Sequence, residues 1–478
     1  MRVLLINSPS TYAAFVTTDW DRTAEDIGAF PPIGLSYIAG YLVEKTHHEV
    51  AILDAVAEKL NYDQIRKRIL EYQPDIAGTS VFTQTFFDHL KLAKTVKEAC
   101  PKCFFCVGGV QHVKMFLEET LRHPEIDFVV RGEGEVVFSK LLDALERKTP
   151  LSDVSGLSMR QNGQVVSFGE EGYINDINQL PSPAFHLLPI DKYRSAIGTG
   201  KPVGTITSSR GCPYHCTFCD HPYRSYREVC NEKIISEMQY FYDQGIREYV
   251  FFDDMFNIRP KRVMEISEAI IERFPGIIWS FRGRADQVTE EMVASAKAAG
   301  CFQMMFGIEA ANDNHLKEIR KNITTQQFLN SIAICKKHKI ETSTNWIIGL
   351  PCHKSRQDIL DLLDFAIHSG TDYTQFNILI PYAGTEIYEE GVRRNVLPLR
   401  FWNDYVLNPT PNAYIPVWDE FLSREELSEL LKYCYRKFYF RPANIVKNVL
   451  RLKNYSHFRN KLKGMLTLLG FGGFNRKK

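Results

Sequence analysis

Two successive runs of short apolar segments, alternating with helical patterns, constrain the fold of this 478-residue chain. The first run occupies residues 1–145, and its strand candidates are residues 3–7, 49–55, 75–81, 103–109 and 126–135. Short apolar strands that alternate with helices form parallel sheets covered by helices on both faces. The sequence therefore predicts an α/β protein whose first domain is a doubly wound parallel sheet.

The second run begins near Pro202, in a domain predicted over residues 201–400. Its strand candidates are residues 203–209, 247–254, 277–284, 301–309, 341–351 and 372–381. Six strand–helix units predict a partial (β/α)6 barrel with its chemistry at the carboxyl ends of the strands. Residues 146–200 are predicted to be a connector containing a hairpin with Asn162 and Gly163 at its turn. Residues 401–478 are predicted to be a helical, basic C-terminal region.

Composition disfavours several classes of protein. The net charge of +1 gives no general case for nucleic-acid binding, and 44% hydrophobic with 24% charged residues is typical of soluble globular proteins. The first apolar run is too short for a signal peptide, and no segment reaches the ~18 apolar residues of a membrane span. Eleven cysteines in such a chain favour metal binding or catalysis over disulfides, so we expect a cytoplasmic protein.

Three cysteines follow the first strand of the second run with the spacing C-x3-C-x2-C: Cys212, Cys216 and Cys219. A structural zinc site has four protein ligands, and His215 or His221 is close enough in sequence to be the fourth. Three thiolates can instead hold a [4Fe–4S] cluster whose fourth iron stays free to bind another molecule. We favour the iron–sulfur interpretation, with zinc as the alternative.

This spacing resembles that of the radical S-adenosylmethionine (SAM) superfamily. In that family the free iron binds the amino and carboxylate groups of SAM, and the reduced cluster cleaves SAM to methionine and a 5′-deoxyadenosyl radical. The resemblance implies that Cys212, Cys216 and Cys219 bind the cluster and that Phe218 packs near the adenine. It also implies an electron donor such as flavodoxin or ferredoxin. The cofactors supply the reaction, so no side chain is assigned a catalytic role.

Three further segments resemble SAM-binding segments of that family, and the contacts they imply are Asp253, Asp254, Glu309, Ile348 and Gly349. A carboxylate after the second strand suits the ammonium of SAM, although Asp253 is also placed to cap the next helix. The segment of Glu309 departs from the family pattern, because Ala310 stands where Ser is common. Arg284 also fits the family, with a structural role as the alternative.

The first domain resembles the cobalamin-binding domain fused to many radical SAM enzymes. The implied cobalamin contacts, near the carboxyl ends of the predicted strands, are Thr79, Ser80, Gly108, Gly109, Gln111, His112, Gly132, Glu133 and Gly134. Tight turns are the alternative explanation for any single glycine. No histidine follows Asp54 in the pattern D-x-H-x-x-G, so cobalamin is expected to bind without a histidine ligand from that motif.

Three other features have competing explanations. Cys100, Cys103 and Cys106 could hold a second cluster, but a buried strand is where free cysteines are common. Residues 430–478 contain no acidic residue, and their basic amphipathic pattern suits a membrane surface, an anionic substrate or a domain-closing helix. The loop of residues 11–30 is long for a strand–helix connection, which favours a functional role.

Together these resemblances cover about the first 400 residues. They imply a radical SAM enzyme that uses cobalamin to methylate an unactivated carbon of a small-molecule or lipid-like substrate. Cyclisation, oxidation or rearrangement without methyl transfer is the first alternative. A non-catalytic corrinoid-binding protein is the second, and the intact cysteine triplet argues against it. Methylthiolation of tRNA is disfavoured, because no tail domain of RNA-binding type is visible.

Overall fold

The computed structural model describes residues 1–14, 29–195, 198–442 and 444. Most of the long loop and most of the basic tail, residues 15–28 and 445–478, therefore lie outside the described residues. The chain divides into two compact units. Of the described residues, unit 1 contains 1–14, 29–193 and 399–415, and unit 2 contains 194–195, 198–398, 416–442 and 444. In the described part of the chain, no helix is both long and apolar enough to cross a lipid bilayer.

Unit 1 is built on a seven-stranded sheet with the order β2-β1-β3-β4-β5-β6-β7. Its strands are β1 Arg2–Asn7, β2 Glu49–Asp54, β3 Ile76–Ser80, β4 Phe104–Gly108, β5 Phe128–Val130, β6 Leu157–Gln161 and β7 Gln164–Ser167. Its helices are α1 Ile33–Lys45, α2 Tyr62–Tyr72, α3 Phe86–Ala99, α4 Val110–Leu121 and α5 Gly134–Arg147. Strands β1 to β5 are parallel, which confirms the predicted doubly wound sheet.

The order of the parallel strands reverses between β1 and β3. In doubly wound sheets with the order 2-1-3-4-5, ligands bind beyond the carboxyl ends of the strands at this switch point. Here those ends are Asn7 and Ser80. The fold therefore places a ligand-binding edge at the segments where cobalamin contacts were predicted.

Two segments join unit 1 that the predicted domain boundaries assigned elsewhere. The predicted connector supplies β6 and β7, which form the predicted hairpin. Its turn is at Asn162 and Gly163, both of which have a positive φ. Strand β6 pairs antiparallel with β5. Helix α13, Phe401–Leu407, packs against α4, and Asn403 Nδ2 donates to Glu119 Oε1 at 2.8 Å. Neither association has a local sequence pattern, because both pair segments distant in the chain.

Unit 2 is built on a six-stranded parallel sheet with the order β15-β14-β13-β12-β11-β8. Its strands are β8 Val203–Ile206, β11 Glu248–Phe251, β12 Ile278–Gly283, β13 Cys301–Glu309, β14 Glu341–Ile348 and β15 Tyr373–Ile378. A short antiparallel pair, β9 Ser209–Arg210 and β10 Arg227–Glu228, lies between β8 and β11. Among the described residues β8 and β15 do not pair with each other, so this is the predicted open (β/α)6 arrangement.

Helices of unit 2 follow the strands, as the sequence pattern predicts. They are α6 Asn231–Asp243, α7 Pro260–Arg273, α8 Glu290–Ala298, α9 Asp313–Glu318, α10 Thr325–Lys337, α11 Arg356–His368, α12 Glu386–Arg393 and α14 Arg424–Tyr439. Capping boxes begin α10 at Thr324, α11 at Ser355 and α14 at Ser423. Each box satisfies amide groups that the first turn of a helix leaves unbonded, so these starts are encoded locally.

Aromatic contacts distinguish the two faces of this sheet. Tyr249, Trp346 and Phe376 contact aromatic rings on α6, α10 and α14, respectively. Because side chains alternate across a strand, the neighbouring residues on each strand lie on the opposite face. In a (β/α) barrel the face opposite the helices is the concave one, where the enzyme holds its ligands.

Candidate active site and cofactor-binding surfaces

The cysteine loop, residues 211–226, leaves the carboxyl end of β8 and is closed at its base by the β9–β10 pair. All three cysteines are free thiols of intermediate burial. Gly211 has a φ of +90°, and a Cβ there would lie 2.0 Å from the carbonyl oxygen of Ser225, so glycine is required for the loop to close. The amide of Cys219 donates to the carbonyl of Cys216 at 3.1 Å. The backbone thus fixes where the thiols lie.

The arrangement of the thiols fits a polynuclear cluster better than a single zinc ion. In the described residues, the sets of three metal-binding atoms within 4.8 Å of one another do not include Cys212, Cys216 and Cys219. Tetrahedral zinc, with Zn–S bonds of ~2.3 Å, would bring the sulfurs to about 3.8 Å from one another. His221 is already engaged, with its Nε2 2.8 Å from Asp254 Oδ2. The thiolate donor set suits a [4Fe–4S] cluster.

Two arginines hold the cysteine loop. Tyr214 lies between Cys212 and Cys216 in the sequence, and the guanidinium of Arg284 is 3.7 Å from the centre of its ring. Arg284 also donates a hydrogen bond to the carbonyl of Lys321 at 2.9 Å. Arg224 donates to the carbonyl of Tyr214. The Arg284 side chain is almost fully buried and engaged with protein groups, so its structural alternative is the better description.

A buried ion pair connects two of the predicted SAM contacts. Lys321 Nζ lies 3.1 Å from Glu309 Oε1 and 5.9 Å from the ring centre of Phe218. Glu309 has a φ of +72°, and Gly307 leaves space for its carboxylate, since a Cβ at Gly307 would lie 2.3 Å from Oε1. Burial opposes the charge of Lys321, but Glu309 and Cys216 outweigh it and raise the pKa of Lys321. Sequence reasoning missed Lys321, which lies in no recognisable motif.

The two aspartates after β11 have different surroundings. Asp253 is buried, and its carboxylate accepts hydrogen bonds from the amide and hydroxyl of Ser208, both at 3.0 Å, and from the hydroxyl of Ser209. Asp253 therefore fixes the segment after β8 through these protein donors, and its contact with SAM stays a prediction. Asp254 is exposed, and its partner is His221. The ammonium of SAM remains a predicted partner of Asp254.

The predicted SAM contacts at the end of β14, Ile348 and Gly349, also have internal packing roles. Ile348 is fully buried and lies on the same strand face as Trp346, which packs against Phe328 of α10. Its side chain therefore faces the helices, and Ile347 occupies the concave face instead. Gly349 has a φ of +73°, so it forms the turn that ends the strand. A contact of this segment with SAM through the backbone stays a prediction.

Packing explains two of the glycines at the carboxyl edge of unit 1. Gly109 has a φ of +115°, and a Cβ there would lie 2.2 Å from the carbonyl oxygen of Val81. A Cβ at Gly132 would lie 2.1 Å from the carbonyl oxygen of Gly172. Tight backbone approach therefore requires both glycines without any ligand. Gly108 is different, because the nearest atom to a Cβ there lies 3.9 Å away.

Three predicted polar contacts of cobalamin point into the protein. The hydroxyl of Thr79 donates to the carbonyl of Ile6 at 2.9 Å, and Glu133 accepts from the amide of Ile174 at 2.7 Å. His112 is in the first turn of α4 and not in a loop, and it is buried. Its Nδ1 lies 3.1 Å from the hydroxyl of Thr83, and its Nε2 lies 3.0 Å from the hydroxyl of Thr120. All three side chains make internal hydrogen bonds, and their contacts with cobalamin stay predictions.

The remaining edge suits a large, partly apolar ligand. Phe82 follows β3 at the switch point, and 72% of its side chain is exposed, an unusual position for a phenylalanine. Ser80 is half-buried beside it, and Gly108 ends the adjacent β4. The buried His89 forms a hydrogen bond with the hydroxyl of Thr79 through Nδ1 at 3.0 Å.

Gln111 is in the first turn of α4, and Gly134 is the first residue of α5. Both stay predicted contacts of cobalamin. Phe82 was missed, although the prediction of a ligand at this edge pointed to its neighbours.

The buried state of His112 predicts a pH dependence of stability. Burial, with His89 and His123 nearby, lowers the pKa of His112 to about 3. Above the unfolded pKa of ~6.5 the histidine is neutral in both states, and its full contribution to folded-state stability is present. This contribution to stability is lost as the pH falls from ~6.5 towards 3, because only the unfolded chain then binds the proton. We expect His112 to lower the free energy of unfolding by about 1.4 kcal/mol per pH unit below pH ~6.5. Urea denaturation between pH 5 and pH 7 measures this slope.

The variant His112→Gln should lack that share of the slope, whereas His186→Gln, at an exposed position, should keep it. His89, whose pKa burial also lowers to about 3, keeps its own share in both variants. Equal slopes for wild type and His112→Gln would contradict the assignment.

Comparison with known proteins agrees with this geometry. Residues 206–366 match the model of the radical SAM superfamily, and residues 23–142 match the model of the B12 binding domain. An uncharacterized methyltransferase of Pyrococcus horikoshii is 33% identical over 472 residues, 98% of each chain. The anaerobic magnesium-protoporphyrin IX monomethyl ester cyclase of Rubrivivax gelatinosus is 26% identical over 464 residues, 95% of this chain and 81% of that protein.

A solved structure has the same arrangement of elements. It is the radical SAM methyltransferase TsrM from Kitasatospora setae with cobalamin and a [4Fe–4S] cluster bound. The match has a TM-score of 0.71, covers 93% of this chain and 89% of that chain, and has 15% sequence identity. The predicted family and fold class are confirmed.

Proposed function

Because this chain belongs to the radical SAM superfamily and carries a B12 binding domain, we propose that it transfers a methyl group to an unactivated carbon of a small polar molecule. It is an enzyme of the cobalamin-dependent radical SAM type, with a [4Fe–4S] cluster, SAM and cobalamin as cofactors. When bound, these groups supply the 5′-deoxyadenosyl radical and the methyl group. The polypeptide binds them, orients them and excludes water.

The observation that carries the proposal is a cysteine loop at the carboxyl edge of a sheet with a polar concave face. Phe281 stacks on Trp279, which contacts Phe251 of β11 on the helix-facing side, so Arg282 lies on the concave side. Gln375 and Asn377 are exposed on that side of β15. Such side chains suit a small molecule with hydrogen-bonding groups better than an apolar lipid.

Arg282 is the one of these residues that carries a charge. Its guanidinium lies 5.0 Å from the ring centre of Phe252, and within the described chain it makes no hydrogen bond or ion pair. The side chain is accessible to solvent, yet surrounding protein atoms lower the pKa of Arg282, and Asp254 partly opposes this. A cation with no hydrogen-bond or ion-pair partner among the described residues is suited to an anionic group of SAM or of the substrate.

Methyl transfer has one rival among the reactions of relatives. The Rubrivivax gelatinosus protein is a cyclase, and it matches most of this chain. The Pyrococcus horikoshii protein, with higher identity and coverage, is described as a methyltransferase. We therefore favour methyl transfer, and reaction without it is the second candidate. An electron donor of the flavodoxin or ferredoxin type, a cytoplasmic location and contact of the basic tail with a membrane stay predictions.

Anaerobic turnover with methyl-deuterated SAM tests the proposal. With candidate substrates, mass spectrometry should find the labelled methyl group in the product, along with S-adenosylhomocysteine and 5′-deoxyadenosine. A control without substrate should give no labelled product. A converted but unlabelled product, formed with 5′-deoxyadenosine alone, would exclude methyl transfer and favour the cyclase or oxidase alternative. A labelled wholly apolar lipid would contradict the polar substrate class.

The charge of Arg282 gives a separate prediction. Replacing it by Met should weaken binding of its anionic partner about tenfold to a hundredfold, because a charged hydrogen bond contributes ~1.5–3 kcal/mol. Stability should change by less than ~0.5 kcal/mol, since the Arg282 guanidinium makes no hydrogen bond or ion pair among the described residues. Equilibrium binding of SAM and the KM of the substrate show which ligand is affected.

Lys261→Met, at a lysine whose side chain is 90% exposed on α7, is the matched control and should change neither value. If Arg282→Met also leaves both values unchanged, Arg282 holds no anion.

A further inference from the structure

A cluster of one cysteine and two histidines lies apart from the cysteine loop. His315 is in α9, which follows β13, and Cys352 and His353 are in the turn between β14 and α11. One ligand atom from each residue lies within 4.8 Å of the others. Cys352 and His353 are buried, and His315 is half-buried. These three residues, the α9–β14 cluster, join the loops after two neighbouring strands.

His353 has no internal explanation for its burial. Only 2% of the residue is exposed, and its Nδ1 lies 3.4 Å from the amide nitrogen of Leu350, at the outer limit of a hydrogen bond. Its Nε2 is buried without any hydrogen-bond partner in the described chain. An unpaired buried polar atom costs about 1–3 kcal/mol, so such atoms usually have a ligand, ion or water as their partner. The edge of the His315 ring is close to it, with ring centres 5.4 Å apart.

The surroundings of the cluster favour a cation. A cavity borders His315, and its lining residues include Asn312, Asp358, Asp361, Asp364 and His368. Three aspartates on one side of α11 give this entrance a negative potential that attracts cations. Asp358 itself already accepts hydrogen bonds from the amide and hydroxyl of Ser355, both at 2.8 Å. The cluster therefore offers three protein ligands, of which His315 borders the cavity.

We propose that His315, Cys352 and His353 form a zinc site with one coordination position open to solvent. A site with one thiolate and two imidazoles binds Zn²⁺ in preference to Mg²⁺ or Ca²⁺, which favour oxygen ligands. Small side-chain adjustments would bring the three atoms to zinc-binding distances. The ion would bind Nε2 of His353 in the tautomer that carries its proton on Nδ1, which replaces the long contact with the Leu350 amide. It would tie the loop after β13 to the turn after β14. This site is independent of the proposed methyl transfer and of the cysteine triplet.

The test uses the reconstituted holoprotein, so that the [4Fe–4S] cluster already occupies Cys212, Cys216 and Cys219. After removal of loosely bound metal by a chelator, Zn²⁺ is added, and elemental analysis counts zinc and iron in each chain. We expect one zinc per chain in addition to the cluster iron, and a raised unfolding temperature in the presence of zinc. With Co²⁺ in place of Zn²⁺, a thiolate-to-cobalt absorption band should appear.

Variants decide whether these residues are the ligands. Cys352→Ser should lose the cobalt–thiolate band, and His353→Ala and His315→Gln should bind zinc about a hundredfold or more weakly. His315 is only half-buried, so His315→Gln keeps the test valid if substitutions at the two buried positions prevent folding. Cys100→Ser, at another buried cysteine outside the cluster, is the control and should bind zinc like the wild type. No tight zinc in the wild type, or equal zinc binding in His315→Gln and wild type, would overturn the proposal.

Discussion

Replacement of Cys212, Cys216 or Cys219 by Ala is expected to abolish cleavage of SAM. Each thiol is one of three that the loop of residues 211–226 presents. Iron–sulfur clusters of this type are held by cysteine thiolates, so each variant lacks one ligand of the cluster. After anaerobic reconstitution the wild type should hold about four irons in this loop, and each variant should hold far less. Formation of 5′-deoxyadenosine with a chemical reductant should fall below detection.

Cys230→Ala is the matched control. Cys230 is an exposed cysteine at the start of α6, and it lies only a short distance along the chain from Cys219. This variant should keep both the iron content and the formation of 5′-deoxyadenosine. Circular dichroism checks that every variant is folded. A triple variant of Cys212, Cys216 and Cys219 that retained iron and still cleaved SAM would show that the cluster is elsewhere.

Much of the architecture could be predicted from local patterns. Buried parallel strands read as continuous apolar segments, and the helices between them carry capping residues, so both sheets follow from the sequence. The cysteine spacing likewise predicts its own chemistry, because all three ligands lie in one short loop. These features share one property: the residues that determine them are neighbours in the chain.

Features that depend on distant residues, or on which residue of a strand faces the site, are harder to predict from the sequence. Asp253 and Asp254 are adjacent, but one carboxylate is enclosed by Ser208 and the other is exposed. Ile348 was assigned to SAM, but strand alternation gives the concave face to Ile347. A shift of one residue at the end of a strand reverses which side chain faces the site. Pattern reading locates the end of a strand only to within a few residues.

Lys321 shows a second reason why sequence reasoning was incomplete. It lies 3.1 Å from Glu309, but its place next to the cysteine loop results from packing between α9 and the loop. The carbonyl of Ile319, at the end of α9, accepts a hydrogen bond from the amide of Thr217, between Cys216 and Phe218. No spacing rule relates these segments, which are about a hundred residues apart. Such a residue becomes visible only when the fold brings the two segments together.

The ion pair of Lys321 and Glu309 carries the second prediction with a large effect. Their side chains are only 12% and 11% exposed, so loss of one partner leaves the other charge buried and uncompensated. We expect Lys321→Met to lower the free energy of unfolding by about 3–5 kcal/mol. The double variant Glu309→Gln/Lys321→Met should lose much less, because it leaves no unpaired charge. Urea denaturation of the wild type, the two single variants Glu309→Gln and Lys321→Met, and the double variant gives the four free energies of this double-mutant cycle.

Binding separates the role of the pair in stability from its predicted role in holding SAM. If Glu309 contacts the ribose of SAM, Glu309→Gln and the double variant should both bind SAM more weakly, although the double variant has recovered most of its stability. Lys317→Met, at an exposed lysine of α9, should alter neither property. Recovery of wild-type SAM affinity in the double variant would restrict Glu309 to a structural role. Unchanged stability in Lys321→Met would show that the buried pair does not hold the cysteine loop against β13.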